Sequence, residues 1–189
     1  MRDLAIRQAL LTHLAHVHRD DRCTVIVEEL GLCQGDARID VAVVNGSLTG
    51  YEIKSAYDTL DRLPGQNEMY SRSLTHVTVV AAGEHLIKLP TLIPSWWGIT
   101  RAMQDGERVA LTELRSSRQN PAIDPVAVAQ LLWREELLQE LDALGICRGV
   151  RSKPRRALWS ILAETVSLDT LIALVRRRLK ARGDWRAAR

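Results

Sequence analysis

The chain has 189 residues, of which 46% are hydrophobic, so it can bury a core in one domain with a small appendage. No apolar run approaches the roughly 18 residues that cross a bilayer, and the N-terminus lacks the apolar centre of a signal peptide, so we expect a cytoplasmic protein without a membrane segment. The three cysteines form no C-x-x-C pair, which argues against both a disulfide framework and a structural zinc site.

The net charge of +3 is unevenly distributed along the chain. Residues 145–189 contain 12 Lys and Arg against 3 Asp and Glu, whereas residues 1–144 contain 14 against 20. A basic surface attracts the phosphate backbone of nucleic acids. The C-terminal segment is therefore the predicted nucleic-acid contact.

The first half of the chain alternates between helical and strand patterns. Leucines at helical spacing predict a helix over residues 3–18, and the apolar run 24–29 predicts a buried strand. Two further apolar runs, one containing Asp40 and the other Glu52, flank the turn Asn45-Gly46-Ser47. We therefore expect an antiparallel hairpin that brings the two carboxylates near each other.

After the hairpin, a short helix is predicted near Pro64, and it carries Gln66 and Tyr70, one helical turn apart and so on one face. A strand, a hairpin, a linker and a set of helices are predicted beyond it. Their predicted bounds are residues 76–82 for the strand, 104–107 for the hairpin turn, 116–125 for the linker, and 126–144, 154–165 and 168–182 for the helices.

The spacing of Asp40, Glu52 and Lys54 predicts a charged site at the hairpin. Glu52 and Lys54 lie two residues apart in a strand, so they point to one face. Neighbouring carboxylates repel each other unless a cation neutralises them, and a divalent cation with oxygen ligands does so. The alternative is that these residues form a solvated strand face.

Asp40, followed by Glu52-x-Lys54, resembles the signature of the PD-(D/E)XK nuclease superfamily. Gln66 and Tyr70 resemble the Q-x-x-x-Y motif of its RecB-like branch. The whole chain is also similar to bacterial PD-(D/E)XK-like proteins of comparable length without a settled role.

The resemblance implies an α/β fold with a restriction-endonuclease-like αβββαβ core, a mixed central sheet and a small C-terminal helical unit. We expect the nuclease-like domain over residues 1–118 and the basic helical unit over 119–189. The implied activity is metal-dependent hydrolysis of DNA phosphodiester bonds, that of a deoxyribonuclease in DNA repair or mobile-element defence. The alternative is a catalytically silent module of this fold that binds nucleic acid or a partner protein in a larger complex.

The resemblance also assigns roles to individual residues. Mg²⁺ or Mn²⁺ is the implied cofactor, with no small-molecule cofactor besides, and its expected ligands are Asp40, Glu52, the carbonyl of Ile53, and Glu29 with Glu28 in reserve. The expected catalytic residues are Asp40, Glu52, Lys54, Gln66 and Tyr70.

DNA is the expected partner, and a homodimer is left open. The expected DNA contacts are Arg151, Lys153, Arg155, Arg156, Arg176 and Arg177, and a solvated terminal helix is the alternative interpretation for the last two. Trp96 and Trp97 offer rings for base stacking or, alternatively, help to close the core.

Overall fold

The computed structural model describes residues 2–146 and 148–182, so Arg186 and Arg189 of the predicted basic C-terminal segment lie outside the described residues. Its strands are β1 (Val25–Leu32), β2 (Ala37–Val44), β3 (Leu48–Lys54), β4 (His76–Ala82), β5 (Gly98–Asp105) and β6 (Arg108–Arg115). Its α-helices are α1 (Asp3–Val17), α2 (Leu63–Ser73), α3 (Leu89–Leu92), α4 (Pro125–Ala129), α5 (Arg134–Ala143), α6 (Arg155–Thr165) and α7 (Leu168–Ala181).

The described strands form one mixed sheet whose spatial order follows the chain from β1 to β6. The first three strands form an antiparallel meander, β3, β4 and β5 run parallel, and β6 returns antiparallel to β5. Tight turns can join antiparallel strands, whereas the parallel steps need longer connections, which α2 and α3 provide. The predicted α/β class with a mixed sheet is therefore confirmed.

Helix α1 covers one face of the sheet. Its apolar side chains recur at helical spacing and pack against every second residue of a strand. This follows because successive strand side chains point to opposite faces of the sheet. The buried cluster between them comprises Ile6, Leu10, Leu14, Val41, Val43, Ile53, Val80 and Ala102.

The opposite face of the sheet carries α2 and the C-terminal helices. Leu158, Trp159 and Leu171 of these helices belong to the same buried cluster as Val77 and Val79 of β4. The C-terminal helices thus pack into a core that they share with the sheet. The division into residues 1–118 and 119–189 stays a prediction.

Two elements differ from the sequence expectation. Strand β1 continues to Leu32, three residues beyond the strand predicted over 24–29, because Leu30 and Leu32 are both buried. The helix expected over 126–144 is two helices, since the Glu136 carboxylate accepts the Trp133 N–H at 2.7 Å and caps a new helix start.

Within the described part of the chain, none of the helices combines the length and the hydropathy needed to span a bilayer.

Candidate functional site

The strand register of β2 and β3 places Asp40 and Glu52 at the same level of the sheet. The pairing of these strands stops at Val41 and Tyr51. Beyond this last pair, the Asp40 Oδ2 atom accepts the Ile53 N–H at 2.7 Å. The Asp40 carboxylate thus closes the end of the ladder with a side-chain acceptor.

Glu52 and Lys54 form a buried ion pair on the α2 side of β3. The Lys54 Nζ atom donates to Glu52 Oε1 at 2.7 Å, and both side chains are only 4% exposed. Because a buried carboxylate loses its hydration, burial raises the pKa of Glu52. The nearby Asp40 carboxylate raises this pKa further, and Lys54 offsets part of the rise.

Helix α2 completes the site from above the sheet. The Gln66 side chain donates to Glu52 Oε1 at 2.7 Å and accepts from Lys54 Nζ at 2.9 Å. Tyr70 lies one turn later, with its hydroxyl oxygen 2.7 Å from Glu52 Oε2 and 2.8 Å from the Arg38 carbonyl. All five residues expected to be catalytic therefore lie in one cluster.

Arg7 of α1 is a member of the cluster that the sequence analysis missed. Its guanidinium donates to Asp40 Oδ1 at 2.8 Å and to the Asp40 carbonyl at 3.0 Å, and it pairs with Glu29 Oε1 at 2.9 Å. Arg7 shares the buried stripe of α1 with Leu10 and Leu14. A charged residue on an otherwise apolar stripe was the signal that could have identified it.

Both glutamates of β1 approach Arg7 of this cluster, Glu29 Oε1 at 2.9 Å and Glu28 Oε2 at 4.0 Å. Glu29 bridges Arg7 and Arg38, and together with Asp40, Glu52 and Lys54 it lines an open pocket of about 520 Å³. Its φ of 59° is unusual for a residue with a Cβ atom and marks an irregularity in β1 opposite Asp40.

The oxygen atoms expected to bind metal are grouped in this pocket, but they already have protein partners. Lys54 neutralises Glu52, and Arg7 neutralises Asp40 and Glu29. Residues 2–146 and 148–182 contain no group of three His, Cys, Asp or Glu side chains placed to hold a metal ion. A divalent cation would therefore have to compete with Arg7 for Asp40.

The residues expected to bind DNA fall into two groups. Arg151, Lys153, Arg155 and Arg156 are exposed in the loop before α6 and in its first turn. Arg176 and Arg177, on α7, make contacts within the protein. The first donates to the Asn45 carbonyl at 2.8 Å, and the second donates to both carboxylate oxygens of Glu140, at 2.8 and 2.7 Å.

The tryptophans divide in a similar way. Trp97 is fully buried and stacks on Tyr70, and Trp96 packs edge-on against Trp97, so both belong to the core. Trp133, which the sequence analysis did not single out, is 39% exposed and lies beside Arg182.

The family described as Bacteriophage P4 protein cII matches residues 1–186. The chain belongs to this family. A member, Protein cII of Enterobacteria phage P4, is 27% identical over 157 residues, which cover 83% of this chain and 59% of the relative. This P4 cII family protein thus spans less than two thirds of the length of the curated relative that it matches. No solved structure matches the chain.

The predicted membership of the PD-(D/E)XK nuclease superfamily is wrong, because the P4 cII family accounts for nearly the whole chain. Three predictions that rested on this membership are wrong as well: the deoxyribonuclease activity, the role in repair or mobile-element defence, and the alternative of a silent nuclease-fold module. The restriction-endonuclease-like core is not confirmed. The roles assigned to single residues stay predictions.

The error has a physical explanation in this P4 cII family protein. The motif specifies three residue types at two spacings. A carboxylate buried on an interior strand needs a cation beside it, and Lys54 is that cation for Glu52 while Arg7 is the cation for Asp40. Charge neutralisation within a folded sheet therefore produces the same residue types at the same spacings as the catalytic motif.

Proposed function

We propose that this P4 cII family protein binds DNA through residues 148–156, which we call the basic segment. The observation that carries the proposal is its charge. The segment contains five Lys and Arg and no Asp or Glu, and all five cationic side chains are exposed. When exposed cations contact DNA phosphates, the counterions condensed on the DNA are released. This release supplies most of the affinity for DNA in the absence of base contacts.

The basic segment is held in place by the protein. The Arg134 guanidinium donates to the Arg151 carbonyl at 2.6 Å and to the Lys153 carbonyl at 2.8 Å. The segment then runs into α6, whose N-terminal dipole favours anions. A loop that is ordered before binding loses less conformational entropy on contact with DNA.

We assign the DNA contact to the basic segment and not to α7. Arg176 and Arg177 already bond to the Asn45 carbonyl and the Glu140 carboxylate. Binding a phosphate with these arginines would break those contacts, whereas the cations of the basic segment are exposed.

Fluorescence anisotropy of labelled DNA over a range of salt concentrations tests this proposal. The Arg151→Glu/Lys153→Glu variant should bind at least about tenfold more weakly than wild type, with a salt slope smaller by about 0.9 for each phosphate that the variant no longer neutralises. The matched control is Lys88→Glu/Arg108→Glu, which reverses two exposed cations outside the basic segment. Equally weakened binding in both variants, or no DNA affinity in wild type, would contradict the proposal.

A second proposal concerns the acidic pocket. We propose that Mg²⁺ or Mn²⁺ binds weakly to Asp40 and Glu52, with the Ile53 carbonyl and Glu29 nearby as further oxygen donors. Hard divalent cations prefer such ligands. The burial of Glu52 beside Asp40, which raises the pKa of Glu52, favours a cation at this position. Arg7 competes with the ion because it bonds to Asp40 and Glu29.

Electron paramagnetic resonance of free Mn²⁺ measures this binding directly. Arg7→Ala should raise the affinity for Mn²⁺, because it removes the competing guanidinium, and Asp40→Asn should lower it. Asp20→Asn, at an exposed position outside the pocket, is the control. If Arg7→Ala bound no more Mn²⁺ than wild type, the pocket would not be a metal site.

A homodimer and a cytoplasmic location are further proposals that rest on the sequence. Sedimentation velocity with and without DNA measures the first, since a dimer would sediment faster than a 21.2 kDa chain.

A further inference from the structure

A cleft of about 650 Å³ separates the edge strand β1 from the segment that leads into α5. Its volume lies in the range of small-ligand pockets, about 300–1,000 Å³. Polar and charged side chains and one aromatic ring line it, among them Arg38, Gln130, Trp133, Arg155 and Arg182. Arg155 belongs to the basic segment, so the cleft adjoins the surface that we assign to DNA.

Trp133 forms a fixed platform at this cleft. The Arg182 Cζ atom lies 4.0 Å from the centre of the indole ring and covers one of its faces. Arg182 is itself held by Glu136, at 2.9 Å, and by the Leu131 carbonyl, at 2.7 Å. The guanidinium covers one face of the indole, and Trp133 as a residue remains 39% exposed.

The cleft also has the charge that a nucleotide requires. Arg38 and Arg155 are exposed and line it. Glu28 and Glu29 line it too, but both lie beside Arg7 and Glu29 also pairs with Arg38, so the four lining arginines leave the cleft with a positive balance. Gln130 supplies an amide that can both donate to and accept from a base edge.

We propose that the cleft binds one nucleotide of an unpaired DNA strand, with its base stacked on Trp133 and its phosphate near Arg155. This inference rests on the proposed function, because the basic segment brings the strand to the cleft. A base inside a duplex already stacks on both neighbours, so only an unpaired base can use the indole face. The protein therefore prefers single-stranded DNA, or duplex DNA with unpaired bases, to a fully paired duplex.

Anisotropy with a labelled oligothymidylate and a duplex of equal length tests this preference. Stacking on an aromatic side chain accounts for about 5- to 150-fold in affinity. Trp133→Ala should lose roughly that factor on the oligothymidylate and change little on the duplex. Trp133→Phe should keep most of the affinity, and Tyr57→Ala, which removes another exposed aromatic ring, should change neither substrate.

The outcomes separate the two proposals. If Trp133→Ala binds the oligothymidylate like wild type while Arg151→Glu/Lys153→Glu binds both DNAs weakly, the stacking site is wrong and the DNA-binding function stands. If wild type binds neither DNA, the proposed function itself is wrong.

Photocrosslinking provides a test that does not depend on the folding of the Ala variant. A single-stranded oligonucleotide that contains 5-iododeoxyuridine should crosslink to Trp133 in the wild-type protein, as mapped by mass spectrometry of the digest. Crosslinks confined to residues outside the cleft would overturn the inference.

Discussion

The Tyr70 hydroxyl group is hydrogen-bonded to the buried Glu52 carboxylate, and it faces the Arg38 carbonyl as a second acceptor. The hydroxyl oxygen lies 2.7 Å from Glu52 Oε2 and 2.8 Å from the Arg38 carbonyl, and Gln66 donates to it at 3.1 Å. A hydroxyl has one hydrogen, so it cannot donate to two acceptors at once. Its hydrogen is therefore shared between the Glu52 carboxylate and the Arg38 carbonyl, and both buried acceptors depend on Tyr70.

Tyr70→Phe should therefore lower the free energy of unfolding by about 1–3 kcal/mol, since it leaves buried polar atoms of Glu52 and Arg38 without their partner. Urea denaturation measures this change. Tyr57→Phe removes the same hydroxyl at a position that is 78% exposed and should change stability by less than about 0.5 kcal/mol. Equal effects at both positions would show that the Tyr70 hydroxyl forms no stabilising bond.

The raised pKa of Glu52 makes a prediction about pH. Burial, and after it Asp40, raise this pKa in the folded protein above its value of 4.5 in the unfolded chain. Between these two pKa values Glu52 is protonated in the folded state and ionised in the unfolded chain. Its contribution to stability is therefore complete below about pH 4.5 and declines as the pH rises through the folded-state pKa.

Glu52→Gln cannot titrate, so its stability relative to wild type should rise as the pH increases from about 4 towards neutrality. Unfolding titrations of both proteins at several pH values measure the difference. The comparison isolates Glu52, because Asp58 and Asp124, whose pKa values are lowered in the folded state and whose contributions have the opposite sign, are common to both proteins. A difference that does not change with pH would contradict the pKa shift.

Arg7 should be needed for stability because it neutralises Asp40 and Glu29. Arg7→Met keeps much of the side-chain length and removes the charge, and it should cost about 2–3 kcal/mol in the free energy of unfolding. Arg7→Lys restores the charge but cannot bridge both carboxylates, so we expect an intermediate loss. Arg22→Met, at an exposed position, is the control in the same urea experiments. A loss no larger than that of the control would mean that the carboxylates tolerate each other without Arg7.

Much of the fold could be predicted from periodicity. Helix α1 and strand β4 agree with the sequence expectation to within one residue, because their apolar positions follow one period without interruption. The break between α4 and α5 was missed because it depends on the Glu136 cap of Trp133, which leaves the apolar spacing unchanged. Helix propensity and the spacing of apolar residues do not reveal such a local hydrogen bond.

The candidate site was predicted in position but not in its full composition. Asp40, Glu52 and Lys54 meet because a hairpin turn sets the register of β2 and β3, and a turn is visible in sequence. Arg7 comes from α1, 33 residues before Asp40, and only the packing of that helix on the sheet brings it close. The family could not be derived from these residues, since paired charges in a buried sheet satisfy the same pattern.

Glu140 should stabilise the C-terminal helices through its contacts with α7. It is 3% exposed, and it accepts hydrogen bonds from Arg177 and Arg178. Glu140→Ala removes a buried carboxylate between two guanidinium groups that then repel each other, and we expect a loss of about 2–3 kcal/mol in the free energy of unfolding. This figure lies below the usual cost of breaking a buried ion pair because the Arg177 side chain, 68% exposed, can return to water.

Glu135→Ala is the matched control for Glu140, since it removes an exposed glutamate from the same helix. Urea denaturation should give a change below about 0.5 kcal/mol for this variant. Glu140→Gln should fall between the two, because its amide oxygen still accepts one hydrogen bond while its NH₂ group faces a guanidinium. Identical midpoints for Glu140→Ala and Glu135→Ala would show that α7 is held by its apolar face alone, and would leave Arg177 free to contact DNA.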